Sequence, residues 1–343
     1  MKVSRGFLHA LLLAAASMLA LLVAVHCGAV EVSGRDWLAA LGIAPQQAGS
    51  VGDYVLWNIR LPRVLFATLV GASMGITGAL TQGLFRNPLA DPGLLGVSAG
   101  AACAAALTIV LLGELHLPIP PAWRTGLLPV AAFVGALAVC FMLDRTARWI
   151  TPGSITGLLL TGVALNALAA AIIGLCTYLA TDEQLRTLSF WTLGSLAAGS
   201  WVLVGVLLAS LLLVWWRSQQ LAASLNALAL GDSAAAHVGV DVERLRSHVI
   251  LLVALLAGIC VSWCGMIGFI GLIAPHLVRL RVGGDQRKVV PLSMLVGALL
   301  LLVADTLART VAIPAEIPVG IFTALLGSPF FLLLLRNARG RIG

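Results

Sequence analysis

The chain is poor in charge. Only 10% of its 343 residues are Asp, Glu, Lys or Arg, against about 25% in a soluble domain. That scarcity excludes a water-soluble globule, and with 60% hydrophobic residues and a mean hydropathy of +1.03 it makes the chain a polytopic membrane protein. Groupings that carry chemistry are missing too. The six cysteines (Cys27, Cys103, Cys140, Cys176, Cys260, Cys264) are scattered through apolar runs, which argues against a disulfide or zinc framework. Cys260 and Cys264, one turn apart, read as small packing residues. None of the six histidines stands at a metal-ligand spacing with another, so no metal site is expected. There is no phosphate-binding Gly-Lys loop, nucleophile elbow or clustered acid–base pair, so an enzyme is poorly supported. Any ATP hydrolysis that serves this protein belongs to another chain.

Long apolar runs are what the chain has instead. A helical span needs about 20 such residues, and ten segments fit, near 7–30, 64–84, 94–112, 126–143, 154–176, 201–216, 247–263, 266–280, 289–308 and 318–335. This predicts an all-α fold of ten transmembrane helices in one domain over 1–343. The first run follows Lys2 and Arg5 but is longer than the 7–15 residues of a cleavable signal core, so it reads as a retained helix. With the N-terminus in the cytoplasm, most basic residues sort inside, from Lys2, Arg5 and Arg86 to Arg336, Arg339 and Arg341. Only Arg35, Arg60, Arg63, Arg124, Arg186 and Arg309 fall outside. This is the bias that orients membrane proteins; the net charge of +7 therefore reflects topology and not nucleic-acid binding. Both termini are expected inside.

The two halves echo each other. Helix two runs inward through "VGASMGITGALTQGLF" and helix seven outward through "LLAGICVSWCGMIGFIGLIAPHLVR", each followed by a broken stretch. Opposed directions suggest an inverted repeat, about 64–176 and 247–335, an architecture common in transporters. The first break, "RNPLADPGLLG", carries Pro88 and Pro92, which remove backbone donors, and Gly93 and Gly96, which permit tight turning. Irregular backbone at membrane depth must be buried in protein or line a cavity. The stretch therefore reads as a hinge or gate, the plain alternative being an interhelical turn.

"LPRVLFATLVGASMGITGALTQGLFRNPLADPGLLGVSAGA", "GFIGLIAPHLVRLRVGGDQRKVVPLSMLVGALLLLVADTLART" and "PAEIPVGIFTALLGSPFFLLLLRNARG" closely resemble the permeases of ABC importers for ferric siderophores, haem and cobalamin, from helix two to the C-terminus. The resemblance implies a type II importer permease fold and a homodimer with the pathway on its two-fold axis, in a bacterial inner membrane. It also implies two cytoplasmic ATPase subunits that use ATP and Mg, a periplasmic binding protein, and no cofactor on this chain. Within it, Asn87 and Leu89 belong to a cytoplasmic gate. Ser154 and Thr156, at the start of helix five, are candidates for a second gate layer, with Ile155 between them leaving the register open.

The longest cytoplasmic loop, 217–246, contains Gly231 and Asp232 before Ala234, Ala235 and Ala236, which reads as a cap and a short helix in which Asp232 accepts first-turn amides. The resemblance makes this the coupling helix that docks on the ATPase. On the outer face, snorkelling is the ordinary reading of Arg60, Arg63 and Arg309. In the resembled permeases, arginines at these places pair with glutamates of the binding protein. Arg186, Phe190 and Trp191 before helix six read as an interfacial belt, or as contacts for a flat apolar substrate with carboxylates; "RTLSFWTLGSL" resembles the haem branch. The rival class, an ion-coupled secondary transporter, needs a membrane-buried ionisable group, for which Asp305 is the best candidate.

Overall fold

The computed structural model describes residues 5–28, 51–115 and 121–338. Lys2, Arg35, Arg339 and Arg341 lie outside the described residues. Every regular element is helical: α1 (Arg5–His26), α2 (Val51–Val55) running through a π turn (Leu56–Arg60) into α3 (Leu61–Phe85), a 3-10 turn (Pro92–Leu95), α4 (Val97–Leu115), α5 (Pro121–Ile150) and α6 (Ile155–Leu179). There follow α7 (Asp182–Leu193), α8 (Trp201–Leu228), α9 (Asp232–His237), α10 (Val242–Cys264), α11 (Ile270–Val282), α12 (Gln286–Thr310) and α13 (Val319–Ala338).

Six of these stretches are long and apolar enough to cross a membrane, with shorter apolar helices over Leu11–His26, Val97–Leu111 and Val319–Leu333. Together with α11 they occupy the ten predicted positions. Several boundaries differ from expectation, and one helix is added. The sixth span runs on as α8 to Leu228, 28 residues and about 42 Å, because the polar stretch after Arg217 is rich in helix-forming Gln, Leu and Ala. Residues 217–228 of the expected loop 217–246 thus belong to α8. The eighth begins at Ile270 instead of 266, leaving α11 only 13 residues, about 20 Å and too short to cross alone. The outer segment before helix six is itself a helix, α7. Thr181 accepts from the Gln184 amide while the Gln184 side chain answers the Thr181 amide, and this reciprocal cap starts the helix in water.

The centre of the bundle is α3. Of the best apolar window of 51–85, 83% is buried, against 17% for α6. Glycines make that burial possible. A Cβ on Gly71 would stand 2.9 Å from Ala298 Cα, one on Gly75 2.7 Å from the Ser293 carbonyl carbon, and one on Gly78 2.7 Å from Gly271 Cα. The backbones of α11 and α12 therefore lie directly on α3, as small-residue stripes allow in membranes. Ser73, Thr77 and Thr81, buried on the same helix, satisfy their hydroxyls by donating four residues back, at 2.7, 2.9 and 2.8 Å, because no water is available there to accept.

Candidate functional site

The first break sits between α3 and α4. Arg86 closes α3 with a left-handed backbone. Asn87 then turns the chain, its Oδ1 accepting from the Leu89 amide at 2.9 Å, and Asp91 starts the 3-10 turn by accepting from Gly93 N at 2.8 Å. Gly96 ends it at φ +80, whereas Gly93 needs no positive φ. Asn87 is exposed and Leu89 half-buried. The break is gripped from α5 and α6. Cys140 Sγ donates to Leu95 O at 3.2 Å, Asn166 Nδ2 donates to Gly93 O at 3.2 Å, and Gly162 lies against the Leu94 carbonyl.

Asn166 was not singled out from the sequence. Its signal is a lone amide in the apolar run "LLLTGVALNALAA", where a polar group needs a partner. Ser154, at the head of the same α6, accepts from Gly157 N at 3.0 Å and caps the helix, while Thr156 is exposed on the first turn. The two expected gate layers thus lie on elements in direct contact.

At the C-terminal end of α3, α9 is the expected short helix, but its capping differs. Gly231 is the N-cap at φ +115, and Asp232 makes no capping bond. Its carboxylate goes to arginines instead: Oδ2 accepts from Arg246 Nη2 at 2.7 Å, and Oδ1 stands 3.5 Å from Arg86 Nη1. A buried cation outcompetes amides that water can satisfy. Ala235 is fully buried, Ala234 half-buried and Ala236 exposed. Nearby, Asn226 of α8 donates to Asp285 at 2.7 Å. That bond, aided by the Arg287 amide and by Lys288 and Arg287, holds the Asp285 carboxyl below its ordinary range against the opposing effect of burial. The tie between α8 and α12 is therefore present at neutral pH and lost as pH falls through that depressed value.

At the opposite end of α3 the three arginines expected on the outer face turn inward. Arg60 donates to Val25 O and His26 O, and Arg309 to Ala24 O and Cys27 O, so both cover the C-terminal carbonyls of α1. Four such carbonyls are orphaned at any helix end, and a cation there also meets the negative end of the dipole. Arg60 and Arg309 are 5% and 8% exposed. Arg63 bridges Asp305 at 2.9 Å and Glu316 at 2.8 Å. Asp305 is fully buried between Arg63 and Arg309, a structural counter-charge. Arg60, Arg63 and Arg309 thus have partners within the chain, and Arg63–Glu316 is the pair nearest to solvent.

On α7, Arg186 and Trp191 are separated by the helix. Arg186 lies over the Phe190 ring at 5.8 Å on the exposed face, while Trp191 packs half-buried on the core. The second break falls at 265–269, inside the run 255–279 expected to precede it, where Gly265 and Phe269 both take a positive φ. Gly265 lies against the Trp191 carbonyl, Gly320 against Leu193 O, and Phe269 against Gly327. Among the described residues, Arg86 and Phe269 are the non-glycine residues with positive φ, one in each break. Also among the described residues, no cluster of three or more His, Cys, Asp or Glu could hold a metal ion.

Residues 13–337 match the family model of the FecCD transport family. The chain is 44% identical over 324 residues to the hemin transport system permease protein HmuU of Yersinia pestis, covering 89% of this chain and 94% of that one. It is 38% identical over 324 residues to the vitamin B12 import system permease protein BtuC of Klebsiella pneumoniae, covering 94% and 92%. A solved ABC transporter described as of the metal-chelate type, in an inward-facing conformation, superposes with a TM-score of 0.81 at 31% identity, over 96% of this chain and 98% of that one.

Proposed function

The chain belongs to the FecCD transport family, and from that premise we propose that it is the permease of an ATP-driven importer carrying haem from periplasm to cytoplasm by alternating access. The observation that carries the substrate is the 44% identity to a hemin permease across 94% of its length. The Arg186–Phe190 pair on α7 supports it. An exposed guanidinium beside an aromatic face suits a flat apolar molecule with carboxylates.

The chain works as a homodimer in a bacterial inner membrane, with both termini cytoplasmic. Two ATPase subunits that consume ATP and Mg dock on α9, and a periplasmic binding protein docks over the outer ends of α3 and α12, where Glu316, held by Arg63, is exposed. Closure of the ATPases moves α9, the segment 87–89 and the head of α6 rearrange about the axial cavity, and substrate passes. Two inverted repeats, about 64–176 and 247–335, frame that motion; a left-handed residue in each break, Arg86 and Phe269, supports the pairing. Specificity resides largely in the binding protein.

The test is uptake by proteoliposomes holding the permease, its ATPase and its binding protein, with haem, a ferric siderophore and cobalamin offered in parallel. ATP-dependent uptake of haem alone is expected. Uptake of a rival alone would discard the substrate, and ATP-independent uptake by the permease alone would overturn the mechanism.

A further inference from the structure

Arg86 stands where a helix end ordinarily takes glycine. Its backbone, φ +52 and ψ +29, is left-handed, a conformation that strains any residue with a Cβ. An arginine kept at such a place needs a reason in its side chain. The guanidinium reaches over Gly231, 3.8 Å from where a Cβ there would be, and stands 3.5 Å from Asp232 Oδ1 on α9. The other oxygen of the same carboxylate accepts from Arg246, 7% exposed in the second turn of α10. One carboxylate thus joins the end of α3, the short helix α9 and the start of α10.

The two arms are unequal. Arg246 is a buried cation, and a buried cation holds its counter-charge firmly, at 2.7 Å here. Arg86 and Asp232 are 34% and 37% exposed at 3.5 Å, a screened and looser contact. The Asp232–Arg246 bond joins α9 to α10, the Val240 amide donates back to Ala235 O across their short connection, and Asp241 then caps α10 by accepting from the Arg244 amide, so α9 and α10 form one unit. Arg86 is the residue immediately before Asn87. We propose that Asp232 is a positioning residue that delivers displacement of the α9–α10 unit to the segment 87–89, with Arg86 as the moving arm. This rests on the reading of α9 as the element that docks on the ATPase.

The experiment uses the permease–ATPase complex in lipid discs, with Cys27 and Cys103 replaced by alanine. Spin labels are placed at Pro88→Cys beside the gate and, separately, at Ser233→Cys on α9, and the distance between the two copies of each label is measured with and without a non-hydrolysable ATP analogue. Both distances shift in the parent. In Arg86→Gln and Arg86→Gly the Ser233 shift persists and the Pro88 shift is lost, and substrate moved per ATP falls about tenfold, within the usual range of coupling between sites. Arg86→Lys restores both. Arg86→Gly also relieves the left-handed backbone, so its thermal midpoint holds or rises and its loss of the gate shift is not unfolding. A parental Pro88 shift retained in Arg86→Gly would overturn the proposal alone. Absence of any Ser233 shift in the parent would remove the docking reading, and the proposal with it.

Discussion

A single buried carboxylate, Asp305, holds together the end of the bundle where α3 begins and α12 ends. Asp305 faces Arg63 at 2.9 Å and Arg309 at 3.5 Å, and it has no exposure. Two guanidiniums brought this close in a weakly polar medium repel unless an anion lies between them. Asp305→Ala removes that anion and leaves cations uncompensated, which costs about 3–5 kcal/mol for a broken buried pair. The thermal midpoint of the detergent-solubilised permease is expected to fall by many degrees. Arg63→Gln combined with Asp305→Ala should recover part of the loss, because one of the stranded charges goes with it. An unchanged midpoint in Asp305→Ala would rule out this structural role and reopen Asp305 as an ion-coupling group. The sequence could place Asp305 near the end of its span but not its neighbours, since Arg63 lies 242 positions away. The inward turn of Arg60 and Arg309 was hidden as well: positive-inside sorting assigns a side of the membrane and says nothing of which carbonyls a guanidinium meets.

Elements were more legible than their ends. The ten apolar runs each became helix because period and length suffice to specify a span, and the first break followed from Pro88, Pro92 and Gly96. Helix α7 was legible in principle, since Thr181 and Gln184 have the spacing of a capping box, but its mixed polarity masked it among apolar neighbours. The extension of α8 beyond Arg217 was not, because a helix leaving the membrane loses the hydropathy that announces it. For α9 the alanine run gave the helix, and only packing separates its positions. Ala235 is fully buried and Ala236 exposed. Ala235→Trp is expected to overpack the core, costing about 1–3 kcal/mol, and to lower the yield of folded permease. Ala236→Trp should leave the fold intact and weaken ATPase binding about tenfold, the equivalent of roughly 1.4 kcal/mol. Size-exclusion chromatography of the permease and titration of the ATPase subunit separate the two effects. Equal ATPase affinity for Ala236→Trp and the parent would remove α9 from the docking surface.

The distribution of apolar surface over the whole molecule bears on its assembly. The central α3 is enclosed, whereas α6 shows Leu160 and Leu168 64% and 58% exposed and α13 shows Leu325 at 65%. Lipid can cover such faces, but the head of α6 also carries the exposed Thr156, and the break it grips through Asn166 carries Asn87. A polar rim on an apolar helix fits a water-filled pathway shared with a second copy better than it fits acyl chains. The expected dimer axis therefore runs past the N-terminal turn of α6. If so, Thr156→Cys should oxidise to a disulfide with its own symmetry mate whenever the two turns come within about 7 Å between Cα atoms. Of the native cysteines, Cys140, Cys176, Cys260 and Cys264 are buried, so replacing Cys27 and Cys103 gives a quiet background. If the gate layers move with α9 as proposed, cross-linking of the full complex should yield a permease dimer band whose intensity changes by several fold when nucleotide closes the ATPases. A band indifferent to nucleotide would place Thr156 at a static contact and outside the gate. No band at all, in a complex that still contains two permeases, would move the axis away from α6 and leave its exposed leucines to lipid.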